Sequence, residues 1–198
     1  MKNIVLDSND IKNKINRISF EIIEKNYDRE EIILVGLLPN GRYISEEICK
    51  CINLNSNIST SIVYFNINKS SNEVSSEDSK YNLNNLNDKI VIVIDHVMNT
   101  WSTKIYALNK ILNFSPYQIQ VGVLIERNYK NFPIIPDFKG LELSTSPQEH
   151  VEVQLGNSPK VLIVNCQYRI NKSLSTLLEI SLILHLNSAS LPESSLLP

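Results

Sequence analysis

The sequence predicts an α/β domain built on a parallel sheet with helices on its faces. Short β-branched runs such as EIILVGL (31–37) and KIVIVID (89–95) are apolar almost throughout, as strands covered on both faces must be. Segments with helical periodicity separate these runs, and that alternation is the pattern of parallel pairing. Length sets the scale: 198 residues bury one substantial core but fall short of two ordinary domains. With 19 Lys and Arg against 21 Asp and Glu, the formal charge of −2 supplies no strongly basic face. RNA binding therefore starts disfavoured, although a local basic patch would permit it.

The elements follow in order. Residues 8 to 27 align Ile11, Ile15, Ile18 and Ile22 on one helical face, with Ser8 or Asp10 able to cap the start. EIILVGL is the first strand, GRYISEEICKCINL (41–54) a second helix and SIVYFNI (61–67) a second strand. Residues 68 to 88 have almost no apolar periodicity and many Ser and Asn, which predicts a mobile loop of the kind that covers a site. KIVIVID is the clearest buried strand. STKIYALNKIL (102–112) is a helix with Ile105, Leu108 and Ile111 or Leu112 inward, and QIQVGVLIE (118–126) a further strand. Residues 127 to 155 carry Pro133 and Pro136 and then alternating segments, which predicts a small hood over the sheet edge. KVLIV (160–164) is a last strand, closing a domain of residues 1 to 164.

Residues 165 to 198 form an extension. KSLSTLLEISLILHL is apolar on nearly every helical face but shorter than the roughly 20 residues of a membrane span, so packing on this chain or a partner is expected. SASLPESSLLP reads as a disordered end. The start, MKNIVLDSND, meets Asp7 and Asp10 before any signal-length apolar run, which points to the cytoplasm. Cys49, Cys51 and Cys166 have no metal-ligand spacing and read as reduced thiols. His150, on a strand-like segment, and His185 read as structural, and no Ser has a hydrolase-like His and Asp arrangement.

Chemistry concentrates in VIVIDHVMNTWST (91–103), a strand ending at Asp95 and a polar loop that opens a helix. Consecutive amides at a helix start bind phosphate through hydrogen bonds and the positive end of the helix dipole. Thr100, Ser102 and Thr103 add hydroxyls. An Asp closing a strand before an ordinary Ser/Thr cap is the plainer alternative.

This stretch resembles the signature of type I phosphoribosyltransferases, an apolar strand, two acids, two or three apolar residues and a Thr-Gly-x-Thr loop. ILVGLLPNG, LIERNYKNFPIIPDFKGLELSTS and EHVEVQL are similar in order and spacing to the PyrR-like group, pyrimidine-operon attenuators and uracil phosphoribosyltransferases. The resemblance implies the type I fold and a reaction of phosphoribosyl diphosphate with a nucleobase, magnesium holding the diphosphate. Catalysis would come mainly from positioning and charge.

Carried over by position, Asp95 and His96 occupy the acid pair that holds the ribose hydroxyls, Asp95 also serving the metal. Asn99, Thr100, Trp101, Ser102 and Thr103 form the 5-phosphate loop, and Leu38, Pro39, Asn40 and Gly41 the pyrophosphate loop. Residues 68 to 88 correspond to the mobile cover, and Arg127 to Lys130 lie beside the base. Asn99 cannot take a proton, which favours a pyrimidine such as uracil. A homo-oligomer is expected, and no membrane.

Four departures bear on activity. His96 replaces the second acid. Trp101 stands where the loop has glycine, and a positive φ there would cost about 1 to 3 kcal/mol. LLPNG lacks a cation before its glycine, although Arg42 follows, and the cover has Lys69 but little other positive charge. Two readings stay open: a uracil-type phosphoribosyltransferase, or a nucleotide-sensing protein that kept the fold and lost turnover, with RNA attenuation as a variant.

Overall fold

The computed structural model describes residues 2–68, 71, 73–77, 82–98, 102–127, 135–146, 148–156 and 158–165. The elements run β1 (Lys2–Leu6), α1 (Ser8–Lys25), β2 (Glu31–Leu37), α2 (Gly41–Asn55), β3 (Ser59–Ile67), β4 (Val74–Ser76), a 3-10 turn (Leu83–Leu86), β5 (Ile90–Met98), α3 (Ser102–Leu112), β6 (Gln118–Arg127), β7 (Phe138–Leu143), β8 (Glu149–Gln154) and β9 (Lys160–Asn165). Six strands form the main sheet in the order β4-β3-β2-β5-β6-β7, parallel except for β4. A smaller antiparallel sheet, β1-β9-β8, forms the hood.

Strand residues alternate faces, and that alternation sorts the core. Ile32, Leu34, Ile90, Ile92 and Ile94 point to one side, where they meet Ile11, Ile15, Ile18 and Ile22 of α1 and Ile44, Ile48 and Ile52 of α2. Ile33, Val35, Val91 and Val93 point to the other, against Ala107 and Ile111 of α3 and Leu86. The chain thus leaves β2 across one face and β5 across the other. Open α/β sheets bind ligands outside the carboxyl ends of two such strands.

Several expectations need correction. The cap of α1 is Asp7, not Ser8 or Asp10: its carboxylate accepts from Asp10 N (2.9 Å), and Asp10 accepts from Asp7 N (3.1 Å). Asp7 takes this role because β1, unrecognised in the sequence, delivers it in an extended conformation. The hood is not confined to residues 127 to 155. β7 joins the main sheet beside β6, while β1 and β9 come from the two ends of the domain to pair with each other. Residues 68 to 88 also contain structure: β4 pairs with Phe65 to Ile67, and Leu86 is fully buried. On α3 the expected Ile105, Leu108 and Ile111 do pack inward, Ile105 and Leu108 half-buried, but the face also takes in Lys104 and Ala107, and Leu112 is exposed. Residues 166 to 198, with Cys166, His185 and the apolar extension, lie outside the described residues. No helix among the described residues is long and apolar enough to cross a membrane.

One polar pair bridges α1 and β6. Asn26 Nδ2 donates to Gln120 Oε1 (3.1 Å) and Gln120 Nε2 donates to Asn26 Oδ1 (3.0 Å), both side chains buried. Removing Gln120 leaves the buried Asn26 Oδ1 without this donor, while Asn26 Nδ2 keeps its bond to Ile22 O, so Gln120→Leu is expected to cost about 1 to 3 kcal/mol. Changing both to Leu should cost less than the two single changes added together. Urea unfolding midpoints measure this; a single-variant loss under about 0.5 kcal/mol would mean that water satisfies the pair.

Candidate functional site

β2 and β5 are parallel neighbours, so the turn after β2 and the carboxyl end of β5 lie side by side. The turn after β2, residues 38 to 40, leads into α2 at Gly41, whose position is fixed by crowding. A Cβ there would lie 2.7 Å from Ile94 O, so only glycine lets the helix start this close to β5. Pro39 is exposed, follows a cis peptide, and Asn40 is half-buried. Arg42, the cation after this turn, faces β3: its guanidinium sits 4.1 Å from the Tyr64 ring centroid and bonds Glu77. Tyr64 in turn donates to Glu46 Oε1 (3.0 Å), and burial together with that bond pushes its phenol up to about 12.

β5 continues past Asp95 through Met98, because β6 offers partners as far as Val97↔Ile125 and Met98↔Glu126. Asp95 therefore lies inside a strand rather than at its end. It faces α3 and is only 8 % exposed. Its Oδ1 accepts from the His96 backbone N (2.6 Å) and lies 2.6 Å from His96 Nδ1. Its Oδ2 lies 2.7 Å from Lys104 Nζ, which also donates to Val97 O (2.8 Å). Burial pushes the Asp95 carboxyl up, but the Lys104 ammonium and the His96 hydrogen bond outweigh it and hold the group below its ordinary value.

Lys104 is the functional residue that sequence reasoning missed. A lysine in the first turn of a helix opposes the helix dipole and is costly when 6 % exposed, so it needs a specific counter-ion. The sequence shows only that Lys104 shares a helical spacing with Ala107 and Ile111 after a strand-borne acid, which does not by itself turn a lysine inward. Ser102 and Thr103 open α3, and first-turn amides have no partner within a helix. Asn99, Thr100, Trp101 and Lys130 lie outside the described residues.

Arg127 ends β6 and is 5 % exposed. It donates from Nε to Thr145 Oγ1 (2.8 Å) and through its terminal nitrogen to Glu149 O (2.9 Å) and Ser146 O (3.4 Å). These bonds tie the main sheet to the segment that enters β8. The exposed His150 lies on β8.

Magnesium takes carboxylate and water oxygens in a tight octahedron. Both oxygens of Asp95 are already engaged, and an ammonium 2.7 Å away repels a dication. Among the described residues no three His, Cys, Asp or Glu gather. The side chains at Asp95 do not fit a magnesium ion.

A largely parallel sheet covered on both faces, with a small second sheet beside it, is the architecture of the type I phosphoribosyltransferase fold. The model of the phosphoribosyl transferase domain matches residues 2 to 156, and the chain belongs to that family, within its PyrR-like group. It is 34 % identical over 160 residues to the bifunctional protein PyrR of Fusobacterium nucleatum, covering 77 % of this chain and 90 % of that one. The bifunctional protein PyrR of Brevibacillus brevis is 32 % identical over 171 residues, covering 83 % and 96 %. Among solved structures, a hypoxanthine phosphoribosyltransferase of Trypanosoma cruzi superposes with a TM-score of 0.67 at 12 % identity, over 82 % of this chain and 96 % of that one. One from Staphylococcus aureus gives 0.62 at 17 %, over 75 % and 80 %. At such identities the structural likeness carries the fold alone.

Proposed function

We propose that this chain is a PyrR-like, cytoplasmic nucleotide-binding protein whose phosphoribosyl transfer is weakened or lost, pyrimidine being its base class. The supporting observation is the buried Asp95–Lys104 pair. It neutralises within the protein the one acid that the motif retains, where transfer from phosphoribosyl diphosphate calls for free negative charge near sugar and metal. His96 and Trp101 act in the same direction. The first turn of α3 and the loop before it would hold a 5-phosphate through backbone amides, and the Pro39–Gly41 turn would flank it. An oligomer of identical subunits is part of this reading; RNA attenuation is its less favoured variant, given the net charge.

A second reading, an active uracil phosphoribosyltransferase, draws support from the two relatives that bear the name bifunctional protein PyrR. One experiment separates the two. Uracil, phosphoribosyl diphosphate and magnesium are given to the native chain and to the His96→Asp, Trp101→Gly double variant, while calorimetry follows uridine monophosphate binding. The expected result is saturable binding by the native chain without pyrophosphate release above background. Native turnover equal to the variant's would establish the enzyme reading instead.

A further inference from the structure

Building on the nucleotide reading, we propose that Lys104 withdraws Asp95 from the sugar, so that this site reads phosphate and base and is blind to the ribose 2′ and 3′ hydroxyls. A carboxylate that grips a vicinal diol must turn free lone pairs toward both hydroxyls. It has about four acceptor positions in all. Oδ1 faces two nitrogens of His96, each at 2.6 Å, and Oδ2 faces Lys104 Nζ at 2.7 Å. What remains is too little to accept from two neighbouring hydroxyls.

Lys104 cannot readily yield its place. Its ammonium is held a second time by Val97 O, and its stem lies on the inward stripe with Ala107 and Ile111. A neutral hydroxyl does not displace an ammonium from a carboxylate, because the charge-assisted bond is the stronger. His96, engaged at Asp95 through Nδ1, has only Nε2 left, too little to replace a carboxylate that holds two hydroxyls. Lys104 is thus a positioning residue that sets sugar specificity through Asp95.

The test is calorimetric titration of the full native chain with uridine 5′-monophosphate and with its 2′,3′-dideoxy analogue. The two dissociation constants are expected to agree within about threefold, less than one charge-assisted hydrogen bond is worth. A preference for the ribonucleotide of about tenfold or more would overturn the proposal and leave the nucleotide reading intact. Lys104→Met should open Asp95 and create such a preference; a folded variant that binds both ligands alike also counts against it. Should the variant fail to fold, the native comparison decides. Saturable binding of neither ligand removes the nucleotide reading, and this inference with it.

Discussion

Lys104→Met is expected to lower the stability of the domain by about 3 to 5 kcal/mol at neutral pH, the usual consequence of removing one partner from a buried ion pair. Asp95 would keep its bonds to His96 but lose the ammonium that Oδ2 faces. Urea unfolding of native and variant chains at pH 7 measures the loss. An Asp95→Asn, Lys104→Met double variant should recover most of it, because neither group then carries a buried charge. A single-variant loss below about 1 kcal/mol would mean that water already reaches the pair.

The same pair predicts a pH dependence of definite sign. In the native chain Asp95 has a depressed pKa, so its contribution is complete above the unfolded carboxylate value of about 3.9 and is lost as pH falls through the folded value. Without Lys104 the strongest remaining influence is burial, which raises the pKa and penalises the ionised form. The native-minus-variant difference should therefore be largest at neutral pH and shrink on acidification. A difference independent of pH between 7 and 4 would assign the loss to packing of the lysine stem instead.

What was legible in the sequence follows from how local each signal is. β2, β5 and β6 announce themselves through unbroken β-branched runs, and α1 through isoleucines at helical spacing, because each is set by burial within one segment. β1 was not legible: five residues, KNIVL, become a strand only through pairing with β9, about 160 residues away along the chain. β7 was assigned to the hood for the same reason, since FKGLEL does not say which sheet it joins. In the site, Asp95 and the opening of α3 were readable as a strand-to-helix junction. The role of Lys104 was not, since an isolated lysine in a helix is ordinarily solvated and only the register of α3 on β5 turns it inward. Arg127 was picked out for its place after a strand. Its partners Thr145 and Glu149 come from a segment whose fold the sequence left open.

Arg127→Leu is expected to loosen the hood while leaving the main sheet formed, with a loss of about 3 kcal/mol. The estimate follows from the guanidinium's bonds to Thr145, Ser146 and Glu149, in a place where bonds from a charged donor each contribute about 1.5 to 3 kcal/mol and do not add fully. For a chain of this size that corresponds to a fall in melting temperature of roughly 6 to 12 °C. Amide exchange in β8 should accelerate more than in β5, whose hydrogen bonds are made to β2 and β6 rather than to the hood. Arg127→Lys separates this tie from a role in holding the base. A lysine keeps the charge but cannot reproduce the forked geometry, so hood stability should fall nearly as far as in the Leu variant. If nucleotide affinity dropped tenfold in Arg127→Lys while β8 exchanged as in the native chain, the arginine would belong to the ligand and not to the hood.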